Sequence, residues 1–167
     1  MADFSISFNW MMLSEDGPAP YRYKQVEDYP PGSFAISGIN SHVYPVQFAR
    51  IALIPQDQRG PFIQNFYQIE FWNKWFAQLV SDEVAKRVFD ESVNAGQGTA
   101  VKILQTALKT EVDELWGPNT VAAANAAQES SLVSSFIAAR IQHYKDIAAE
   151  NPAEARYLPQ WIVRAEK

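Results

Sequence analysis

The residue with the clearest capacity for chemistry is Glu15, in the run Leu13-Ser14-Glu15-Asp16-Gly17. Phe4, Phe8, Met11 and Met12 recur at three-to-four spacing, which predicts a helix over residues 3 to about 14, capped by Asp3 or Ser5. Gly17-Pro18-Ala19-Pro20 stops that helix, because two prolines cannot continue it. Glu15 therefore falls at the helix C-terminus, where the macrodipole favours cations and disfavours an ionised carboxylate. In partly apolar surroundings such a group holds its proton, which is the state a general acid needs to protonate a glycosidic oxygen. The plain alternative is a solvated surface glutamate.

A second feature is aromatic. Phe62, Phe66, Tyr67, Phe71, Trp72, Trp75 and Phe76 crowd one short segment. Core packing is one reading. The other is a wall on which the apolar faces of pyranose rings stack, and different members of the cluster can serve either purpose. Farther on, Asn94 and Gly96 close a helix, with the glycine suited to a left-handed position and the Asn94 side chain free to face a groove.

Composition narrows the chemistry. The chain has 167 residues, 47% hydrophobic and 20% charged, enough apolar material for a core without staples. It has no cysteine, so disulfides, thiolate metal sites and a cysteine nucleophile are excluded. The two histidines, His42 and His143, lie far apart with no second histidine at helical spacing, so a metal site is not expected, nor is any cofactor. A net charge of -5 with no run of Lys or Arg argues against nucleic acid as a partner. Apolar stretches are broken well short of the roughly 20 residues that span a bilayer. The first residues show no basic region followed by a long apolar one, so no cleaved signal peptide is expected.

The elements that must position these residues are mostly helical. Residues 17 to 42 are rich in proline and glycine and predict a long irregular loop with at most a short hairpin, a kind of loop that is more often functional than not. From about 43 onward the pattern predicts helices beginning at Val46, over Asp57 to Lys74, from a Ser81 cap to about Asn94, over 99 to 108, after Gly117-Pro118-Asn119-Thr120, from Ser130 to Glu150, and from Pro152 to Ala165. The expected class is all-α, with at most a minor β-hairpin in the 17–42 loop. A soft boundary near 79–81 separates an aromatic-rich lobe, 1–79, from an alanine-rich lobe, 80–167, expected to pack together as one compact unit.

The run Glu15-Asp16-Gly17 and the loop after it resemble the Glu-Gly-Gly segment of the phage-type N-acetylmuramidases of glycoside hydrolase family 108, with Asp16 in place of the first glycine. Asp28, followed by Gly32, Gly38 and Ile39, is similar to that family's next landmark, with Ser33 for a glycine and Ala35 for a threonine. Tyr67 with Phe71-Trp72 looks like the third. Phe89-Asp90, Val93-Asn94, Gly96, Ala100, Leu104-Gln105 and Ala107 are similar to the peptidoglycan-binding domain that follows in the family. Val112-Asp113-Glu114 and Gly117-Pro118 continue that similarity, with Glu114 where a glycine is usual, and Trp161-Ile162 with Arg164-Ala165 ends it.

The resemblance implies a lysozyme-like helical fold and cleavage of the β-1,4 bond between N-acetylmuramic acid and N-acetylglucosamine, with Glu15 as the general acid. The implied partner is the peptidoglycan glycan strand. Export from the cytoplasm to the periplasm or wall then needs a holin or secretion system. A glycosidase usually needs a second carboxylate. Asp28 is the first choice, and Asp16 or Glu27 fit less well. Ser37 shares the side of Ala35 if that stretch is extended, and its hydroxyl then stands in for the absent threonine. The expected site is a groove into which Glu15 opens, lined by Asp28, Tyr67 and Trp72. The alternative on the same fold is a wall-binding or secretion-accessory protein that cleaves weakly.

Overall fold

The computed structural model describes residues 1–17, 20–26 and 32–167. The described residues form eight α-helices, a small three-stranded sheet, two 3-10 turns and one π-helical segment, so the class is mostly α. They divide into two units, residues 3–77 and residues 78–167 with the first two residues.

The first unit opens with α1 (Phe4–Glu15). The Asp3 carboxylate caps it by accepting the Ser5 N–H at 2.6 Å. Its buried residues are Ser7, Phe8, Met11 and Met12, the three-to-four stripe visible in the sequence. Strands β1 (Tyr23–Gln25), β2 (Phe34–Ile36) and β3 (Ile39–Asn40) follow, each antiparallel to the next. The sheet is one strand larger than the hairpin the sequence suggests. Strand alternation in segments of two or three residues is too short to see. Ile36 pairs with Ile39, and both are fully buried. The two residues between them, Ser37 (φ 49°) and Gly38 (φ 80°), both take positive φ, as a tight two-residue hairpin turn requires.

Helix α2 (Pro45–Ala52) and helix α3 (Gly60–Tyr67) complete the unit. Arg59 ties them together. Its guanidinium is buried and donates to the carbonyls of Ala52, Ile54 and Tyr21 at 3.3, 2.9 and 2.8 Å. Helix α3 does not continue to Lys74 as an α-helix. From Gln68 to Phe76 the chain winds as a π-helix, ending with the Ala77 N–H donating to the Trp72 carbonyl five residues back at 3.0 Å.

The second unit comprises α4 (Asp82–Ala95), α5 (Gln97–Leu108), α6 (Pro118–Ala126), α7 (Glu129–Glu150) and α8 (Leu158–Glu166). Ser81 caps α4 by accepting the Val84 N–H at 3.1 Å, and Asp82 and Glu83 occupy its first turn. Gly96 ends α4 at φ 93°. Helix α7 packs on α4, α5 and α8. The last helix begins later than Pro152 implies. Residues 152–154 form a turn and 155–157 a 3-10 turn, and Pro159 instead lies in the first turn of α8.

One buried side chain organises the connection between α5 and α6. The Gln105 amide accepts from the Asp113 and Glu114 N–H groups and donates to the Asp113 carboxylate, the Leu115 carbonyl and the Thr120 hydroxyl, all within 2.6–3.2 Å. The loop it holds places Glu114 at φ 62°, a conformation that suits glycine.

Candidate functional site

Glu15 is the last residue of α1, and the end of that helix is pinned from the loop side. The Lys24 ammonium donates to the Glu15 carbonyl at 2.6 Å and lies 3.2 Å from the Asp16 carboxylate. A cation at this terminus satisfies an orphan carbonyl and complements the dipole. The Glu15 side chain itself is half-buried.

Asp16 is buried, and its carboxylate accepts the Tyr21 N–H at 2.7 Å and the Ser37 hydroxyl. These bonds draw the turn of residues 37–38 back onto the end of α1. From the other side the Tyr67 hydroxyl, on α3, donates to the Ser37 carbonyl at 2.6 Å. The Ser37–Gly38 turn is thus held at its hydroxyl by α1 and at its carbonyl by α3.

Gly38 lies against the Glu15 carboxyl. A Cβ built on it would fall 2.9 Å from a Glu15 carboxyl oxygen, 3.2 Å from the carboxyl carbon and 2.6 Å from the Tyr67 hydroxyl. The position is therefore closed to any other residue on two counts, its positive φ and the lack of room. Gly38→Ala should move the Glu15 carboxyl or open the turn. Gly32→Ala is the matched control, because Gly32 has φ 86° but a Cβ there meets nothing within 4 Å. Both variants should melt lower. Only Gly38→Ala should also shift the NMR resonances of the Glu15 side chain, and equal shifts for the two would refute the packing argument.

Of the residues singled out in the sequence, the structure brings Glu15, Ser37 and Tyr67 together. Ser37 is not in extended backbone, so it does not share a side with Ala35, and its hydroxyl is engaged by Asp16. It shapes the turn and does not replace the missing threonine. Tyr67 is 1% exposed and its ring packs on Phe8, Phe66 and Phe71, so it positions the turn and offers no stacking face. Trp72 is 4% exposed, with its ring on Phe4, and belongs to the core. Asp28 and Glu27 lie outside the described residues. Most of the aromatic cluster is core, while Phe62 stands 54% exposed.

Asn94 lies in the second unit and does not offer its amide to a groove. It donates to the Tyr144 hydroxyl at 2.9 Å and accepts from Arg164 at 3.1 Å. It belongs to a buried charge cluster that the sequence did not reveal. Arg140 is fully buried and pairs with Asp90 at 2.7 Å and with Glu91. Arg164 approaches Asp90 at 2.8 Å, and the Tyr144 hydroxyl donates to Glu91 at 2.5 Å while accepting from Arg140 at 2.9 Å. Burial pushes the Glu91 carboxyl up from its ordinary range, against the pull of Arg140. Burial and the Glu91 charge likewise raise the Tyr144 phenol, so it stays protonated and donating.

No helix among the described residues is long and apolar enough to cross a membrane. Residues 99–166, less than half of the chain, match the sequence profile of a family described as Predicted Peptidoglycan domain. Among solved structures, SagA of Brucella abortus is similar over 97% of this chain and 92% of its own, with a TM-score of 0.67 and 19% sequence identity. That likeness is one of fold. No curated protein matches the chain at a significant level. The connection to peptidoglycan thus rests on the profile match over residues 99–166.

Proposed function

We propose that this protein is a peptidoglycan hydrolase of the muramidase type, with Glu15 as the general acid that protonates the glycosidic oxygen between N-acetylmuramic acid and N-acetylglucosamine. The observation that carries the reading is the seating of Glu15. A half-buried carboxyl at a helix C-terminus is packed against a glycine turn that two other elements clamp in place. Rigid placement of an acid beside backbone that only glycine can form is what proton transfer to a bound ether oxygen requires. The tie of residues 99–166 to peptidoglycan supplies the substrate class. The Glu15-Asp16-Gly17 resemblance to the phage-type muramidases of glycoside hydrolase family 108 supplies the bond.

The partners of Asp16 narrow the choice of second carboxylate. Asp16 is committed to Ser37, Tyr21 and Lys24, so it is a fastener and not a base. Asp28, the first choice from the resemblance, and behind it Glu27 remain to activate water or attack the anomeric carbon. On this reading the protein meets glycan strands in the periplasm or wall, reached through a holin or a secretion system. The competing reading is a wall-binding accessory on the same fold, and the commitment of Asp16 is the observation in its favour.

Product analysis separates the two. Purified peptidoglycan digested by the protein, reduced with borohydride and fragmented by mass spectrometry should show new N-acetylmuramic acid reducing ends. New glucosamine reducing ends would assign a different bond. Binding without new ends would establish the accessory reading.

A further inference from the structure

Helix α2 and the α3–π helix enclose a groove of about 290 Å³ that does not include Glu15. Helix α2 contributes Gln47, Arg50 and Ile51, and the facing helix contributes Phe62, Asn65, Phe66, Ile69 and Glu70. Its chemistry is layered. Ile51 and Phe66 are 3% and 5% exposed and supply an apolar floor, whereas the Phe62 ring is 54% exposed beside it. A phenyl ring that remains half in water at the lip of a groove is available to stack on a flat apolar face.

The polar groups argue for a particular ligand. Gln47 and Asn65 are both primary amides, each carrying a carbonyl acceptor and an N–H donor. That pairing complements an acetamido group, which presents one N–H and one carbonyl. The rim carries one charge of each sign, Arg50 and Glu70, and Glu70 is already bridged to Lys74 at 2.7 Å. Neither sign dominates, so the lining does not select a strongly charged ligand. The volume lies at the small end of ligand sites, which run from about 300 Å³ upward. It suits one sugar ring and not a chain.

We infer that this groove is an accessory binding site for a single N-acetylated amino sugar, separate from the Glu15 site. The acetyl methyl rests on Ile51 and Phe66, the pyranose face on Phe62, and the acetamide and hydroxyls meet Gln47 and Asn65. The inference rests on the proposed peptidoglycan reading for its ligand class, and it adds a second point of attachment on the same unit as the acid. Such a site raises the effective concentration of glycan at the acid without new contacts to the scissile bond.

The test is a titration of the isotope-labelled full chain with N-acetylglucosamine, followed by backbone amide shifts, carried out on Glu15→Gln so that nothing is turned over. Saturable shifts at residues 47–51 and 62–70 are expected. Phe62→Ala should weaken this binding by at least about fivefold, and Asn65→Ala should weaken it less. Phe62 is exposed, so its removal leaves the core intact, and thermal melts of both variants should match the parent. Shifts confined to other residues, or unchanged affinity in Phe62→Ala, overturn the inference. The sugar-free dipeptide L-alanyl-D-isoglutamine saturating the groove while N-acetylglucosamine does not would also overturn it, by assigning the groove to stem peptide. Wall lysis by the wild type is scored separately, so loss of the hydrolase reading and loss of the groove appear in different measurements.

Discussion

Arg140→Met should destabilise the 78–167 unit by about 3–5 kcal/mol, because it removes one partner of a buried ion cluster and leaves a carboxylate uncompensated. The group left behind is Glu91. Asp90 keeps Arg164 at 2.8 Å, but Glu91 loses its guanidinium partner and retains the Tyr144 hydroxyl. A unit of this size loses about 4–8 °C of Tm per kcal/mol, so the fall should exceed about 12 °C. Two features tie the result to this mechanism. Adding Glu91→Gln should restore part of the loss, since the double variant has no charge to strand. The deficit should also depend on pH in a fixed direction. Burial raises the folded-state pKa of Glu91 above its ordinary value near about 4.3. Its contribution to stability is therefore full below that value and is lost as pH rises through the folded-state pKa. Without Arg140 the rise is larger, so the variant should fall further behind the wild type at pH 8 than at pH 5. A Tm within a few degrees of wild type, or a deficit that grows on acidification, would contradict the account.

Glu15→Gln should cost about 10²–10⁴ in the rate of wall lysis, or roughly 3–5 kcal/mol of barrier at about 1.4 kcal/mol per decade. Glutamine keeps the shape and the packing against Gly38 but has no proton to give at the leaving oxygen. Pelleting with purified peptidoglycan should be unchanged, because residues 99–166, which carry the peptidoglycan-domain match, are untouched and the Lys24, Asp16 and Tyr67 bonds that hold the turn remain. Lysis at the wild-type rate by Glu15→Gln would remove Glu15 from the chemistry altogether. Reduced lysis with reduced pelleting would instead give Glu15 a role in binding.

The sequence displays its helices where one face repeats at three-to-four spacing and the caps are explicit, as at Asp3 and Ser81. It conceals what depends on distant partners. Nothing in Glu15-Asp16-Gly17 says that Asp16 reaches across to Ser37, and a serine at positive φ is no signal in itself. Ser37-Gly38 between Ile36 and Ile39 is a readable two-residue turn signal, and treating the stretch as extended misses it. Asp90, Glu91, Arg140 and Arg164 look like surface charges in the chain, and only the packing of α4, α7 and α8 encloses them. The aromatic segment divides for the same reason. Its members are equally apolar, and their place on the helix decides that Trp72 is core while Phe62 meets water.

The π-wound stretch from Gln68 to Phe76 has a legible cause as well. Phe66, Phe71 and Phe76 step by five, as do Tyr67 and Trp72, and all five are buried. An α-helix would turn such rows progressively away from the core, whereas the wider winding keeps them facing it. The length of this segment is consequently constrained as tightly as its composition. Loss of one residue would shift the phase of every ring beyond the cut. Tyr67, whose hydroxyl steadies the turn beside Glu15, sits on the last residue before that change of gauge.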